Sequence, residues 1–173
     1  MKYTELGSIS HGTMREEDLI PAFLDELIIL NPKEADRIQH EVDKLIIDDS
    51  GYYDDKVIVS DIKLTSSELA IFILNEDLFN ALNDYAPPFC YFGSHPGDGS
   101  DYGFWIDSYS LEECLEFDSS TFDNILFTED YKSDIQFEEI KFPLKEYNYV
   151  LHINDHGNTT LYDKYGQEIW SVV

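Results

Sequence analysis

The sequence predicts an α+β fold: N-terminal helices, then an antiparallel sheet that ends in a C-terminal three-stranded meander. Three observations predict it. Apolar residues recur at three- and four-residue spacing early in the chain. Short runs rich in β-branched and aromatic residues fill the later part. Between those runs stand HPGDGSD, NDHGN and DKYGQ, all made of turn-forming residues. The 173 residues suit one domain over 1–173, and 43% hydrophobic with 14% aromatic content suffices for a core.

The elements follow in order. Thr13 and Glu16 stand at capping-box spacing in TMRE, and the acids at 16–18 suit a helix N-terminus. Leu19, Ile20, Phe23, Leu24, Leu27 and Ile28 then predict a helix over 15–30. Asn31-Pro32 ends it and begins the next, as cap and first-turn proline. Ala35, Ile38, Val42 and Leu45 form the second helix's apolar stripe, so the pair is expected to be an αα-hairpin. A polar turn, DDSGYYDD, and a short β-forming run over 57–60 come next. Residues 65–74 fit a buried helix or a strand, because periodicity does not separate short apolar runs. Asn75 is expected to cap a helix through Leu78, Leu82 and Tyr85, ended by Pro87-Pro88. Strands are expected over 89–94 and 102–106, flanking the glycine turn. After a weakly patterned stretch, strands over 147–153, 159–162 and 168–172 make the meander.

Charge dominates the composition. There are 36 acidic and 11 basic residues, a net charge of -25. Such a surface repels nucleic acid and anionic membranes and attracts basic protein surfaces. Direct nucleic-acid binding is therefore not expected. Halophilic adaptation is the environmental alternative, disfavoured by a complement of large apolar residues rather than small ones. No apolar run approaches the roughly 18 residues of a membrane span. The start, MKYTELGSIS, lacks the features of a signal peptide. Cys90 and Cys114 follow no CxxC spacing and read as reduced thiols of a cytoplasmic protein, with a disulfide between them as the alternative.

Two turns invite chemistry. HPGDGSDYGFW, from His95 to Trp105, matches neither GxGxxG nor the Walker pattern. No Lys or Arg occurs over 64–131, an interval with fourteen acids, so the field opposes a bound phosphate. Asp98, Asp101 and Asp107 are hard oxygen ligands, yet EF-hand spacing is absent. The plainer expectation is a hairpin turn, with glycines at positive φ, aspartates capping it, and His95 bonded to the backbone at a strand end. In HINDHGN, His152, Asp155 and His156 offer a zinc site or an acid–base pair. The plainer expectation there is a polar hairpin turn with Gly157 in the left-handed region. No nucleophile-elbow or HExxH motif occurs. No catalytic residue, metal or cofactor is assigned.

The most specific signal is distributed over residues 107–139. This segment holds eleven acids, namely Asp107, Glu112, Glu113, Glu116, Asp118, Asp123, Glu129, Asp130, Asp134, Glu138 and Glu139, against one base, Lys132. Leu111, Leu115, Phe117, Phe122, Ile125, Leu126 and Phe127 are interleaved, which predicts a folded segment rather than a solvated tail. Duplex DNA carries one charge per about 1.7 Å of axis, so -25 corresponds to roughly a dozen base pairs. The acids are thus expected to form the partner-binding surface of a nucleic-acid mimic, joined by Tyr102, Phe104, Tyr109 and Tyr131 as aromatic contact area. Its partner would be a basic nucleic-acid-binding protein, inhibited by occlusion without catalysis.

Three stretches carry a resemblance. SHGTMREEDLIPAF, APPFCYFGSHPGDGSDYGFW, and NDHGNTTLYD with the closing EIWSVV resemble a group of small acidic proteins carried by bacteriophages and plasmids. The group has no assigned activity, so the resemblance implies a mobile-element setting and carries over no functional residue. Residues 107–139 lie outside it. The setting implies an anti-defence role, with a CRISPR effector as the first target and a restriction enzyme as the next. The alternative is a small-ligand or metal-binding domain using Asp98, Asp101, His152, Asp155 and His156. A third reading, an enzyme, requires His95 to join His152 or His156 in one site. The sequence does not separate a monomer from a homodimer.

Overall fold

The computed structural model describes residues 3–50, 68–116, 124–130 and 132–173. The expected β run over 57–60 and most of the DDSGYYDD turn lie outside these residues. The chain divides into two units, Met1–Ile106 and Asp107–Val173. Their contents agree with the expected α+β class, helices first.

The first unit runs β1 (Gly7–Ser10), α1 (Glu16–Leu30), α2 (Pro32–Ser50), α3 (Glu68–Phe72), a π-helical stretch (Ile73–Leu78), α4 (Phe79–Asn83), β2 (Cys90–His95) and β3 (Asp98–Ile106). Its strands form an antiparallel sheet in the order β1-β3-β2. The α1 stripe buries Leu19, Ile20, Phe23, Leu24 and Leu27 against Ala35, Ile38 and Val42 of α2 and Phe92 and Phe104 of the sheet. Phe23 is the hub, with ring edges meeting Phe92 at 4.9 Å, Phe79 at 5.5 Å and Tyr102 at 5.8 Å. Asn31 does cap α2, its Oδ1 accepting from the Glu34 backbone N–H at 3.2 Å, and Pro32 opens the helix.

Several local expectations fail, each for a physical reason. The capping box at Thr13 does not form: helix α1 is capped at Arg15, and Thr13 Oγ1 instead accepts from the Arg15 N–H and donates to Asp18. Ile28 is 50% exposed, because at the end of α1 the buried stripe has narrowed to Leu27. The ambiguous SSELAIFIL stretch is helical from Glu68 onward, and Asn75 caps nothing because it lies inside one continuous helical run. That run ends at Asn83, two residues before Tyr85. Strand β1 has no counterpart among the sequence expectations, since four residues carry too little pattern. It reaches β3 only because residue 103 is glycine: a Cβ there would stand 2.0 Å from the Gly7 carbonyl oxygen.

The second unit runs α5 (Ser108–Glu116), β4 (Ile125–Glu129), a 3₁₀ turn (Phe137–Glu139), β5 (Tyr149–Ile153), β6 (Thr159–Asp163) and β7 (Glu168–Val172). The meander β5-β6-β7 is present as expected. The acidic segment adds an unexpected fourth strand, β4, parallel to β5, so the sheet is mixed. Its register aligns two rows of side chains. Phe127, Leu151, Leu161 and Trp170 form an apolar row on one face, with Leu151 and Leu161 fully buried. Thr128, His152, Thr160 and Ser171 form a polar row on the other. Both hairpin turns use glycine as expected: Gly157 has φ +85° and Gly166 φ +83°.

Candidate functional site

The acids over 107–139 divide into carboxylates that build the fold and carboxylates that face solvent. Asp107 caps α5: its Oδ1 accepts from the Tyr109 and Ser110 N–H groups, and Oδ2 accepts from Ser110 Oγ at 2.6 Å. These bonds, the Ser110 hydroxyl's first, hold the Asp107 carboxyl below its ordinary value. Glu129 pairs with Lys132 at 2.5 Å. Asp130 Oδ2 accepts from the Asp155 N–H at 3.1 Å, fixing the turn after β5. These three carboxylates of the expected partner surface also serve the fold, each with at least one oxygen engaged by a local donor. Glu112, Asp134, Glu138 and Glu139 are exposed and Glu113 is half-buried. Asp118 and Asp123, like the Glu116 side chain, lie outside the described residues.

The aromatic contribution is also smaller than expected. Phe104 is 1% exposed and belongs to the core of the first unit, and the half-buried Tyr102 packs against that core at Phe23 and Phe79. Tyr109, on α5 beside Glu112 and Glu113, is 75% exposed. Tyr131 lies outside the described residues.

The glycine turn is a hairpin between β2 and β3, closed by Pro96-Gly97. Its glycines do not use positive φ: neither Gly97 nor Gly99 is in the left-handed region. Side chains hold the turn instead. His95 Nδ1 accepts from the Gly97 N–H at 3.0 Å, as expected of a strand-end histidine, and its ring stands edge-on to Trp105 at 4.7 Å. Asp98 Oδ1 accepts from the Ser100 N–H and hydroxyl, which together keep this exposed carboxyl below its ordinary value. Asp101 accepts from Ser8 Oγ at 2.5 Å, tying β3 to β1. Among the described residues no three His, Cys, Asp or Glu side chains converge on a point that holds a metal.

The polar row of the second sheet is the feature that sequence reasoning missed. Thr128 Oγ1 and His152 Nδ1 are 3.1 Å apart, Thr160 Oγ1 and Ser171 Oγ are 2.9 Å apart, and His152 Nε2 lies 3.9 Å from Asp130 Oδ1. Phe137 covers the row, stacked on His152 at 4.5 Å and tilted against Tyr162 at 4.8 Å. A hydroxyl, an imidazole and a carboxylate in this order have the composition of a nucleophilic triad, but not its geometry. Thr128 is 1% exposed, and the imidazole–carboxylate separation exceeds a hydrogen bond. Within the row, Thr128 and His152 form a buried polar pair between the parallel strands β4 and β5, and Thr160 and the exposed Ser171 form a second pair between β6 and β7. Its only sequence signal was HINDHGN, whose His156 instead sits 80% exposed beside Asp155.

Neither Cys90 nor Cys114 forms a disulfide, and burial pushes the Cys114 thiol above its ordinary value, which keeps it protonated. Among the described residues no helix is long and apolar enough to cross a membrane. Compared with known proteins, the chain matches no family, no curated sequence and no solved structure.

Proposed function

We propose that this chain is an acidic nucleic-acid mimic of phage or mobile-element origin. It inhibits a host protein that binds DNA or RNA, a CRISPR effector first and a restriction enzyme next, by occupying the basic groove. The observation that carries the proposal is the net charge of -25 on a chain with a well-packed apolar core. Charge of that size on a folded scaffold gains from the same Lys and Arg contacts that a duplex of roughly a dozen base pairs would gain. The contact surface lies in the second unit, at Glu112, Glu113, Asp134, Glu138 and Glu139, with Tyr109 as an exposed aromatic anchor. Asp107, Glu129 and Asp130 belong to the same acidic surface and also hold its local fold.

The test is a variant carrying lysine at positions 112, 113, 134, 138 and 139. Its circular dichroism and unfolding midpoint should stay close to those of the parent, because these side chains are exposed or half-buried. Its capture of a nucleic-acid-binding protein from host lysate should be lost. Undiminished capture by a folded variant contradicts the assignment of the surface.

A further inference from the structure

We propose that residues 133–144 form a strap that closes over the polar face of the second sheet, and that the ring of Phe137 is its latch. Hydrogen bonds tie the strap at both ends. At its start Ser133 Oγ accepts from the Glu129 N–H at 2.7 Å, and the Ser133 N–H donates to the Glu129 carbonyl at 3.0 Å. At its end the Leu144 N–H donates to the Lys164 carbonyl at 2.8 Å. The Phe142 ring lies so close to Gly166 that a Cβ there would meet it at 3.0 Å. Between the ends, Phe137 stacks on His152 of β5 and tilts against Tyr162 of β6. The strap has two sides. Phe137, Phe142 and Leu144 are half-buried, while Asp134, Glu138, Glu139, Lys141 and Lys145 are exposed.

What lies beneath Phe137 makes its ring a latch rather than part of a core. None of the residues of the 3₁₀ turn is fully buried. Under it the sheet presents the His152 imidazole, with the Thr128 and Thr160 hydroxyls beside it in the row. Water can solvate those groups once the strap lifts, so uncovering them costs far less than uncovering Leu151 and Leu161 on the opposite face. The strap can thus open while the sheet stays folded, and the aromatic contacts of Phe137 set the balance between open and closed. The strap carries Asp134, Glu138 and Glu139, three of the five carboxylates assigned above to the contact surface. Closed, it holds them as a fixed array, and a partner that needs the array selects the closed state. That consequence rests on the mimicry reading, whereas the latch itself does not.

The experiment is amide hydrogen exchange on the whole chain, in the parent and in Phe137→Leu and Phe137→Tyr. In the parent, the amides of Glu139, Ile140 and Leu144 should share one protection factor, lower than that of the β5–β6 amides. Phe137→Leu keeps apolar bulk without a ring face, and should speed exchange of those three amides about fivefold while the β5–β6 amides stay unchanged. Phe137→Tyr keeps the ring and should stay within about twofold of the parent. The His152 ring protons should move toward their free shifts in the leucine variant and not in the tyrosine variant. Strap amides as protected as the sheet in the parent would overturn the proposal. So would strap exchange that is unchanged in a folded Phe137→Leu. If the strap opens in Phe137→Leu and that variant still captures its partner from host lysate undiminished, the latch stands. The assignment of Asp134, Glu138 and Glu139 to the contact surface then fails.

Discussion

Asp107 shows how a residue expected to meet a partner also serves the fold. Its carboxylate takes three hydrogen bonds from the first turn of α5, and Ser110 Oγ provides the shortest. Those donors favour the ionised form, so the folded pKa lies below the ordinary 3.8. The sign follows: this stabilisation is fully present above 3.8 and is lost as the pH falls through the depressed folded value. We predict that ¹³C-detected titration finds the Asp107 midpoint below 3.8, and that Ser110→Ala moves it back upward. Asp107→Ala should cost about 1 kcal/mol in denaturant unfolding at neutral pH. At this scale the sequence was only partly legible. Asn31, Pro32 and Gly157 signalled their roles because local chemistry alone decides a cap or a positive φ. Asp107 and Thr13 did not, because several nearby donors compete for one side-chain oxygen. The glycines at 97 and 99 misled for a related reason. The proline before Gly97 and the His95 ring set that turn, so no positive φ was required.

Among the elements, length decided what could be foreseen. Helices α1 and α2 carry three or more turns of periodic apolar residues, and the meander strands are bounded by strong turn residues. Strands β1 and β4 are four and five residues long and gain their identity from partners distant in sequence. For β4 the partner is β5, and their parallel pairing buries Thr128 against His152. Thr128→Val removes that hydroxyl at nearly constant volume and leaves the imidazole unsatisfied. We predict a loss of about 1–3 kcal/mol, read as a lower urea midpoint at unchanged slope. Adding His152→Leu should restore part of the loss, since removing both partners costs less than orphaning one. A Thr128→Val protein as stable as the parent would mean that the polar row does not hold β4.

Over the whole molecule, net charge sets behaviour that no single contact explains. With 36 acids and 11 bases, folding gathers like charge into a small volume. Salt screens that repulsion, so the melting temperature should rise between roughly 10 mM and 500 mM NaCl, by about 2–4 °C for each kcal/mol of repulsion relieved. A flat or falling profile would mean that the carboxylates are already compensated within the fold. The same charge is the ground for the proposed mimicry. The most direct measurement is affinity capture on the immobilised chain from host lysate at low salt, eluted with a salt gradient and challenged with duplex DNA. The account predicts a nucleic-acid-binding protein that survives physiological salt and is released by the duplex. Capture only of basic proteins that leave at physiological salt and ignore the duplex would contradict it.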